Sequence, residues 1–308
     1  MLLREIPLKL IYMVIVVWTI VTMLFFLIRL SGDPVALLAG EDATPARREE
    51  VRQSYGLDEP VFVQYERFVE KAVLLDFGDS FRYRRDAFPF VVDRLRTTLK
   101  LAGLAMALTV VVAVPAGILA AIRRGKLSSL VVMLGSLVGQ AVPNFWLGIM
   151  FIWIFSVQLH WLPSFGDGGI KHLLMPAIAL AALPIARQTR LVRSGMLDVL
   201  NQDYIRTARS KGLRESVIVY RHAIKNMMLP ILALVGLDIA YLVAGSVVIE
   251  TVFAYPGIGS LLVTSVLARD YPTVQAAVFV ISILVVGVNA LVDLSYRWLD
   301  PRIGVSPV

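Results

Sequence analysis

The sequence contains no cysteine, which excludes disulfide bonds and thiolate chemistry. Its only three histidines, His160, His172 and His222, are scattered along the chain and do not suggest a metal-ligand cluster. Gly125-Lys126 lacks the upstream glycine and the following hydroxyl residue of a phosphate-binding loop, and no serine lies in a G-x-S-x-G motif. These absences predict that the chain is not an enzyme and that any ATP hydrolysis belongs to another polypeptide.

Charged residues are few beside apolar ones, at 17% against 57% of the 308 residues. A soluble protein of this size does not need several uninterrupted apolar runs of membrane-spanning length. The net charge of +7 is not accompanied by the aromatic and basic patch of a single-strand-binding protein. The composition therefore predicts a membrane protein in contact with lipid, without nucleic acid as a partner.

Six apolar runs are long enough to cross roughly 30 Å of hydrocarbon as α-helices. They predict an all-α polytopic fold with spans at 8–30, 97–122, 130–158, 172–192, 230–253 and 273–298. The first run lacks a small-residue cleavage site, which favours a retained anchor over a signal peptide. The predicted organisation is a first helix with an external segment (1–96), a transmembrane domain (97–298) and a short tail (299–308).

The distribution of basic residues predicts the orientation. Arginine and lysine are concentrated in the connections 123–126 and 187–225, whereas the alternate connections 158–171 and 254–272 hold only Lys171 and Arg269. Cytoplasmic loops carry the excess of basic residues, so both termini are expected in the cytoplasm.

The segment 31–96 is the only sizeable region expected outside the membrane. Thr44-Pro45 has the pattern of a helix cap and first helical position, and Pro60 opens a second helix through about Leu75. These signals predict a small helical cap over the external ends of the membrane spans. A loosely ordered connector remains the alternative.

The segment 203–228 is the one long polar insertion between apolar runs. Asp203 can cap a short helix, Gly212 can end it in the left-handed conformation, and a second helix can begin near Glu215. On that second helix, apolar and long side chains recur at helical spacing and predict a packed stripe of Val217, Arg221, Ile224 and Met228. The alternative is an ordinary basic cytoplasmic loop.

This segment resembles the coupling loop of ATP-binding-cassette importer permeases, which forms two short helices that dock on an ATPase subunit. The matching positions are Arg206, Thr207, Ala208, Gly212, Leu229 and Pro230. Arg206 departs from the usual glutamate, and the stretch from glycine to proline is longer than usual. The resemblance implies an ATPase-coupling role for Asp203, Thr207, Ala208, Gly212, Glu215, Leu229 and Pro230, with Ala208 and Gly212 slim enough for a partner's close approach.

The runs YIRTARSKG, ETVFAYPGIG and RDYP are similar to the peptide and nickel branch of these permeases. Intramembrane acids and a proline kink add candidates for a translocation path or gate. The acids can equally form structural hydrogen bonds, and the proline can equally be a packing kink. The candidates are Gln140, Pro143, Asn144, Phe145, Asp238, Glu250, Phe253, Pro256 and Gly257, with Pro256-Gly257 expected to form a tight turn and Gly259 to start a short helix.

The resemblance implies a type I ABC importer transmembrane fold in the bacterial cytoplasmic membrane. It also implies four kinds of partner: a second similar permease, two ATPase subunits, an external solute-binding protein and membrane lipid. This chain would bind no cofactor, and ATP and Mg²⁺ would sit on the ATPase subunits. Di- or oligopeptides are the implied substrate, with nickel or glutathione as alternatives within the family. Outside it, a secondary transporter or channel is the main rival, and a membrane-embedded hydrolase is a further one.

Overall fold

The computed structural model describes residues 2–30, 44–54 and 58–299, which are helical apart from their connections. The long apolar runs form helices, and so does the polar segment 203–228, which we name the coupling segment after its predicted role, because helices satisfy their backbone groups locally. The helices are α1 (Leu2–Leu30), α2 (Pro45–Ser54), α3 (Val61–Val73), α4 (Ala87–Ile122), α5 (Leu127–Ala141), α6 (Asn144–Gln158), α7 (Ile170–Leu200), α8 (Asp203–Ser210), α9 (Glu215–Val252), α10 (Ile258–Leu267) and α11 (Tyr271–Leu299).

Four of the described helices, α4, α7, α9 and α11, are each long and apolar enough to cross a membrane. Helices α5 and α6 meet at a bend of 101° and together have the length of a fifth span. Helix α1 is 29 residues long and is apolar over Ile11–Leu27. The described helices therefore give up to five spans, and the predicted first span stays a prediction.

Several predicted boundaries differ from the helix ends. Helix α4 begins at Ala87, not Thr97, because Asp86 caps it: its Oδ1 accepts a hydrogen bond from the Phe88 backbone N–H at 3.1 Å. Helix α7 continues to Leu200 instead of ending near residue 192. Helix α9 already begins at Glu215, so Pro230 lies inside it and does not open a span. These ends were missed because the prediction followed hydrophobicity, and helices continue through polar ends.

The described chain divides into two compact units. The first contains residues up to Thr97 together with Pro256–Gly287, and the second contains Thr98–Tyr255 with the chain from Val288 onward. The predicted boundary at 96/97 lies close to the first division, whereas the part of the predicted transmembrane domain in Pro256–Gly287 groups with the N-terminal region.

In the second unit, α7 packs against α5, α6 and α9. The contact surface of α7 is rich in buried alanines such as Ala177, Ala179 and Ala181, which lie in one cluster with Leu242 and Ile249. Small residues allow membrane helices to approach closely, and van der Waals contact then stabilises the pair. This packing fixes the two helices that flank the coupling segment.

In the first unit, α3 packs on α1 through aromatic rings. Phe25 is buried, with ring centroids 5.2 Å from Tyr65 and 5.1 Å from Phe68, and the hydroxyls of Thr22 and Tyr65 are hydrogen-bonded at 2.7 Å. The helix expected after Pro60 is present, with Pro60 as its cap residue. The helix expected from Pro45 is also present. Residues 31–43 and 55–57 of the expected external cap lie outside the described residues.

Candidate functional site

The first coupling helix, α8, spans Asp203–Ser210. Gln202 is the extended residue before it, and Asp203 is the first helical residue, so the predicted cap role of Asp203 is wrong. The Asp203 carboxylate is almost fully exposed and lies 3.5 Å from Arg206 Nη1. An acid in the first turn still interacts favourably with the helix dipole, which explains its fit at this position.

Gly212 ends the α8 segment as the sequence predicts. Its φ angle is +76°, in the left-handed region, and its N–H donates to the Arg209 carbonyl at 2.9 Å. A Cβ atom at this position would meet nothing within 4 Å. The glycine is therefore required by its backbone conformation, and not by the space around it within the chain.

An ion pair bridges the turn at Gly212. Arg209 Nε donates to Glu215 Oε1 at 2.7 Å, joining the last turn of α8 to the first residue of α9. This hydrogen bond raises the pKa of Arg209 above its usual value. A second link joins the two helices, because Asn226 Nδ2 donates to the Tyr204 hydroxyl at 2.5 Å.

Ala208 does not offer an open surface for a partner, contrary to the prediction. It is 8% exposed and, with Ile205, packs in a cluster that includes Ile218, Val219 and Ala223 of α9. The small side chain at this position therefore serves packing inside the chain.

The stripe predicted for the second helix is out of phase. Arg221 and Met228 are exposed, and Val217 and Ile224 are only half-buried. The buried residues are Ile218, Val219, Ala223 and Met227. Residues Ile218–Ala223 form a π-helical segment, whose wider turn changes which residues share a face.

The exposed surface of the coupling segment is mostly polar and basic. Around the turn at Gly212 the exposed residues include Arg206, Thr207, Ser210, Lys211, Gly212 and the apolar Leu213, and elsewhere in the segment Tyr204, Tyr220 and Met228 are exposed too. The Thr207 hydroxyl donates to the Asp203 carbonyl, so it does not depend on a partner for a hydrogen bond. Leu229 and Pro230 are half-buried about 20 Å further along α9 from Glu215, so the structure does not bring them to this surface.

Asp238 is completely buried in the middle of α9 and is paired within the chain. Arg187 Nη2 donates to Asp238 Oδ1, and Gln188 Nε2 donates to Asp238 Oδ2 at 2.9 Å. The Arg187 guanidinium also lies 5.5 Å from the centre of the Tyr241 ring, and about a third of its side chain is exposed. The structural interpretation of Asp238 thus has direct support.

Arg187 and Gln188 were missed as partners of Asp238. The available signal was Arg187 itself, which lies inside the span predicted at 172–192. A charge within the membrane needs an opposite charge or water nearby, and Asp238 is an intramembrane acid. Sequence spacing does not show that α7 and α9 place these residues side by side.

Glu250, near the C-terminal end of α9, is also completely buried. The Thr98 hydroxyl donates to its Oε1 at 2.6 Å, and the Tyr255 N–H donates to its backbone carbonyl at 2.8 Å. Burial, with the negative charges of Asp167 and Glu250 nearby, raises the pKa of Tyr255 to about 12. Phe253 is buried in the same unit, so Glu250 and Phe253 are both packed side chains within this chain.

The turn after α9 lies earlier than predicted. Ala254 has a φ angle of +44°, whereas Gly257 has an ordinary φ of −91° and precedes α10 as its cap residue. Helix α10 begins at Ile258, one residue before the predicted Gly259. The Pro256 carbonyl accepts a hydrogen bond from Arg94 Nη1 at 3.2 Å. The turn was predicted too late because Ala254 adopts the left-handed conformation, which is uncommon for a residue other than glycine.

The candidates of the third span lie at the bend between α5 and α6. Val142 is extended, as expected for a residue before proline, and Pro143 caps α6, so the predicted single kinked span is instead two helices at 101°. Gln140, Pro143 and Phe145 are exposed, and Asn144 is half-buried against α9 beside Gly245. A cavity of about 340 Å³ lies between α4, α5, α6 and α7, lined by residues that include Val112, Gly139, Phe151 and Ala182, and none of the candidates Gln140, Pro143, Asn144 and Phe145 lines it.

Comparisons with known proteins decide the family. The model of the binding-protein-dependent transport system inner membrane component matches residues 113–305. The model of the N-terminal membrane component of these systems matches residues 1–102. The chain belongs to this family of transport permeases.

Two relatives illustrate how much of the permease is shared. A putative peptide transport system permease protein of Brucella suis biovar 1 is 40% identical over 306 residues, covering 96% of this chain and 98% of the relative. The glutathione transport system permease protein GsiC of Escherichia coli K12 is 39% identical over 286 residues, covering 92% of this chain and 94% of the relative. The predicted resemblance to the peptide branch is therefore confirmed.

Solved structures confirm the fold of the permease. The inward-facing methionine ABC transporter MetNI gives a TM-score of 0.58 at 19% identity, over 68% of this chain and 95% of that chain. An amino acid ABC transporter with histidines gives a TM-score of 0.53 at 20% identity, over 68% and 94%. The predicted type I importer fold is thus shown, and the permease is a multi-pass protein of the inner membrane.

Proposed function

We propose that this permease forms part of an ATP-driven importer that moves peptides into the cytoplasm by alternating access. The observation that carries the proposal is the exposed basic surface of α8 beside Gly212, held by Arg209–Glu215, on a chain about 40% identical to a putative peptide permease. Glutathione, a small peptide, falls in the same substrate class, and the similarity to GsiC supports it as a candidate.

The partners in this proposal follow from the family and from the sequence. No phosphate-binding loop is present in the sequence, so we assign ATP and Mg²⁺ to two ATPase subunits that dock on the coupling segment. A second similar permease completes the passage, and an extracytoplasmic solute-binding protein delivers the substrate. This chain itself catalyses no reaction and binds no cofactor.

The proposed orientation has both termini in the cytoplasm, supported by the basic residues in the connections 123–126 and 187–225. The bend at Pro143 and the residues around it are our proposed part of the translocation path. We assign a structural role, and not a place on the path, to Asp238, Glu250 and Phe253, because their side chains are buried within the chain.

The coupling assignment is tested by paired single-cysteine variants, which the cysteine-free chain makes specific. Thr207 is exposed and its neighbour Ala208 is buried, although both lie on α8. In the assembled importer, Thr207→Cys is expected to form cross-links with an ATPase subunit, and Ala208→Cys is not. Uptake of a labelled peptide into proteoliposomes should require ATP. Failure of Thr207→Cys to reach an ATPase in a complex that still transports would refute the docking assignment.

A further inference from the structure

A short loop before α4 presents three exposed arginines. We name residues 78–86 the arginine loop, and its exposed basic residues are Arg82, Arg84 and Arg85. Among the residues that the structure describes, none of these three forms an ion pair. Their guanidinium groups are therefore available to an anionic partner.

The arginine loop is held in one conformation by its own backbone. Ser80 N–H donates to the Arg85 carbonyl and Arg84 N–H donates to the Ser80 carbonyl, both at 2.9 Å. Tyr83 N–H donates to the Ser80 hydroxyl at 3.0 Å. Arg84 has a φ angle of +53°, which is unfavourable for a residue with a side chain and persists only when the surroundings enforce it.

A buried carboxylate from a distant part of the sequence anchors this loop. Asp270 has no exposed surface and accepts hydrogen bonds from the Ser80 hydroxyl at 2.5 Å and from Phe81 N–H at 2.9 Å. The Thr273 hydroxyl donates to the same carboxylate at 2.7 Å. Since burying a carboxylate is unfavourable without such donors, the loop and Asp270 stabilise each other.

Aromatic rings restrain two of the arginines without using their hydrogen-bond donors. The Arg85 guanidinium carbon lies 3.5 Å from the centre of the Phe90 ring, and that of Arg82 lies 5.7 Å from the centre of the Tyr83 ring. A cation–π contact holds the charge over the ring without using the N–H donors for a hydrogen bond. A surface ordered in advance loses less entropy when it binds.

The length of α4 carries the arginine loop beyond the lipid headgroups. Helix α4 has 36 residues, which corresponds to about 54 Å against a hydrocarbon thickness of roughly 30 Å. Arg123 and Arg124 follow its last residue, as expected for an end at the cytoplasmic interface in the proposed orientation. The first residue of α4 lies ten residues, or about 15 Å of helix, before the predicted start of the apolar span at residue 97, whereas the headgroup layer is only about 5–8 Å thick on each side.

We propose that the arginine loop docks the extracytoplasmic solute-binding protein by binding carboxylates on its surface. The inference rests on the proposed function and orientation, which put residues 78–86 outside the cytoplasm. The segment 31–96 carries 10 basic and 13 acidic residues, and the exposed side chains Arg82, Arg84 and Arg85 concentrate positive charge at one place in it. Guanidinium groups bind carboxylates with paired hydrogen bonds, which provides both orientation and specificity.

The test uses the assembled importer in nanodiscs and the solute-binding protein that supports uptake by the wild-type importer. Replacing all three arginines (Arg82→Glu, Arg84→Glu and Arg85→Glu) is expected to raise the Kd for that protein by about tenfold or more, by turning attraction into repulsion. Wild-type binding should weaken with added salt, and the variant should lose most of that dependence. Arg84→Glu alone should also raise the Kd, whereas Arg52→Glu on α2, a single change of the same charge, should leave it unchanged.

A photo-cross-linker at position 84 identifies what the arginine loop touches. Adducts with the solute-binding protein at acidic positions support the proposal, and adducts with phospholipid overturn it in favour of a membrane contact. An unchanged Kd and salt dependence in the triple variant also overturn it, with basal ATPase activity confirming intact assembly. The proposed function fails separately, if the wild-type importer shows no ATP-dependent uptake with a solute-binding protein.

Discussion

Three acidic side chains, Asp238, Glu250 and Asp270, have no exposed surface, and each accepts hydrogen bonds from residues far away in the sequence. A buried charge is tolerated only with such partners, because desolvation costs several kcal/mol. Each of the three carboxylates therefore holds two distant segments of the chain together through hydrogen bonds. Removing one of them should affect folding before it affects any transport step.

Asp238→Leu is expected to destabilise the permease by about 3–5 kcal/mol, since it leaves the Arg187 guanidinium and the Gln188 amide without their acceptor. Thermal unfolding of the purified protein in detergent measures the effect. Asp238→Asn should be intermediate, because an amide keeps one acceptor for Gln188.

The double variant Arg187→Leu/Asp238→Leu separates pairing from simple loss of volume. It should recover part of the stability lost in Asp238→Leu, because no unpaired charge remains. If Asp238→Leu unfolds at the wild-type temperature, the carboxylate has no structural role and the alternative of an acid lining a wet passage is favoured.

At the scale of single elements, the coupling segment depends on the turn at Gly212. Its left-handed backbone costs about 1–2 kcal/mol for most residues with a side chain, whereas asparagine adopts it more readily. Gly212→Asn is therefore expected to keep the α8–α9 arrangement, and Gly212→Val to distort it. Neither side chain is expected to clash with the rest of the chain, because a Cβ at this position would meet nothing within 4 Å.

Measuring both variants distinguishes backbone conformation from partner contact. Gly212→Val should assemble poorly with the ATPase subunits and lose ATP-driven uptake while remaining inserted in the membrane. If Gly212→Asn forms a normal complex and also loses uptake, the partner packs closely against position 212. Wild-type uptake by Gly212→Val would contradict a coupling role for this turn.

The bend between α5 and α6 lies where the sequence predicts a kink, but it separates two helices and does not kink a single one. Pro143 and the extended Val142 interrupt the helix where the sequence indicates. The angle of 101° is set by packing, because α6 lies close to α9: a Cβ at Gly148 would be 3.0 Å from the Phe253 ring. A proline alone specifies where a helix breaks and not where the next one goes.

At the scale of the whole molecule, the orientation can be measured with single cysteines in this cysteine-free chain. Phe62→Cys lies at an 80% exposed position on α3, and Lys126→Cys lies in the basic connection before α5. A membrane-impermeant maleimide should label Phe62→Cys in intact spheroplasts and Lys126→Cys only after permeabilisation. Labelling in the reverse order would invert the proposed topology and remove the basis for docking at the arginine loop.

The sequence by itself determined the class of the protein, the approximate spans and the turn at Gly212. These features depend on local properties: the length of an apolar run, the backbone freedom of glycine and the restriction before proline. The family resemblance was likewise carried by short runs of residues such as 204–212, which the relatives then confirmed.

Only the tertiary structure decided that Ala208 is buried, that Arg187 and Gln188 satisfy Asp238, and that Asp270 anchors the arginine loop. Each of these depends on which helices become neighbours, over separations of 50 residues between Gln188 and Asp238 and 189 between Phe81 and Asp270. Local patterns contain no information about such pairs, because the free energy that selects them comes from packing and from satisfying buried charges.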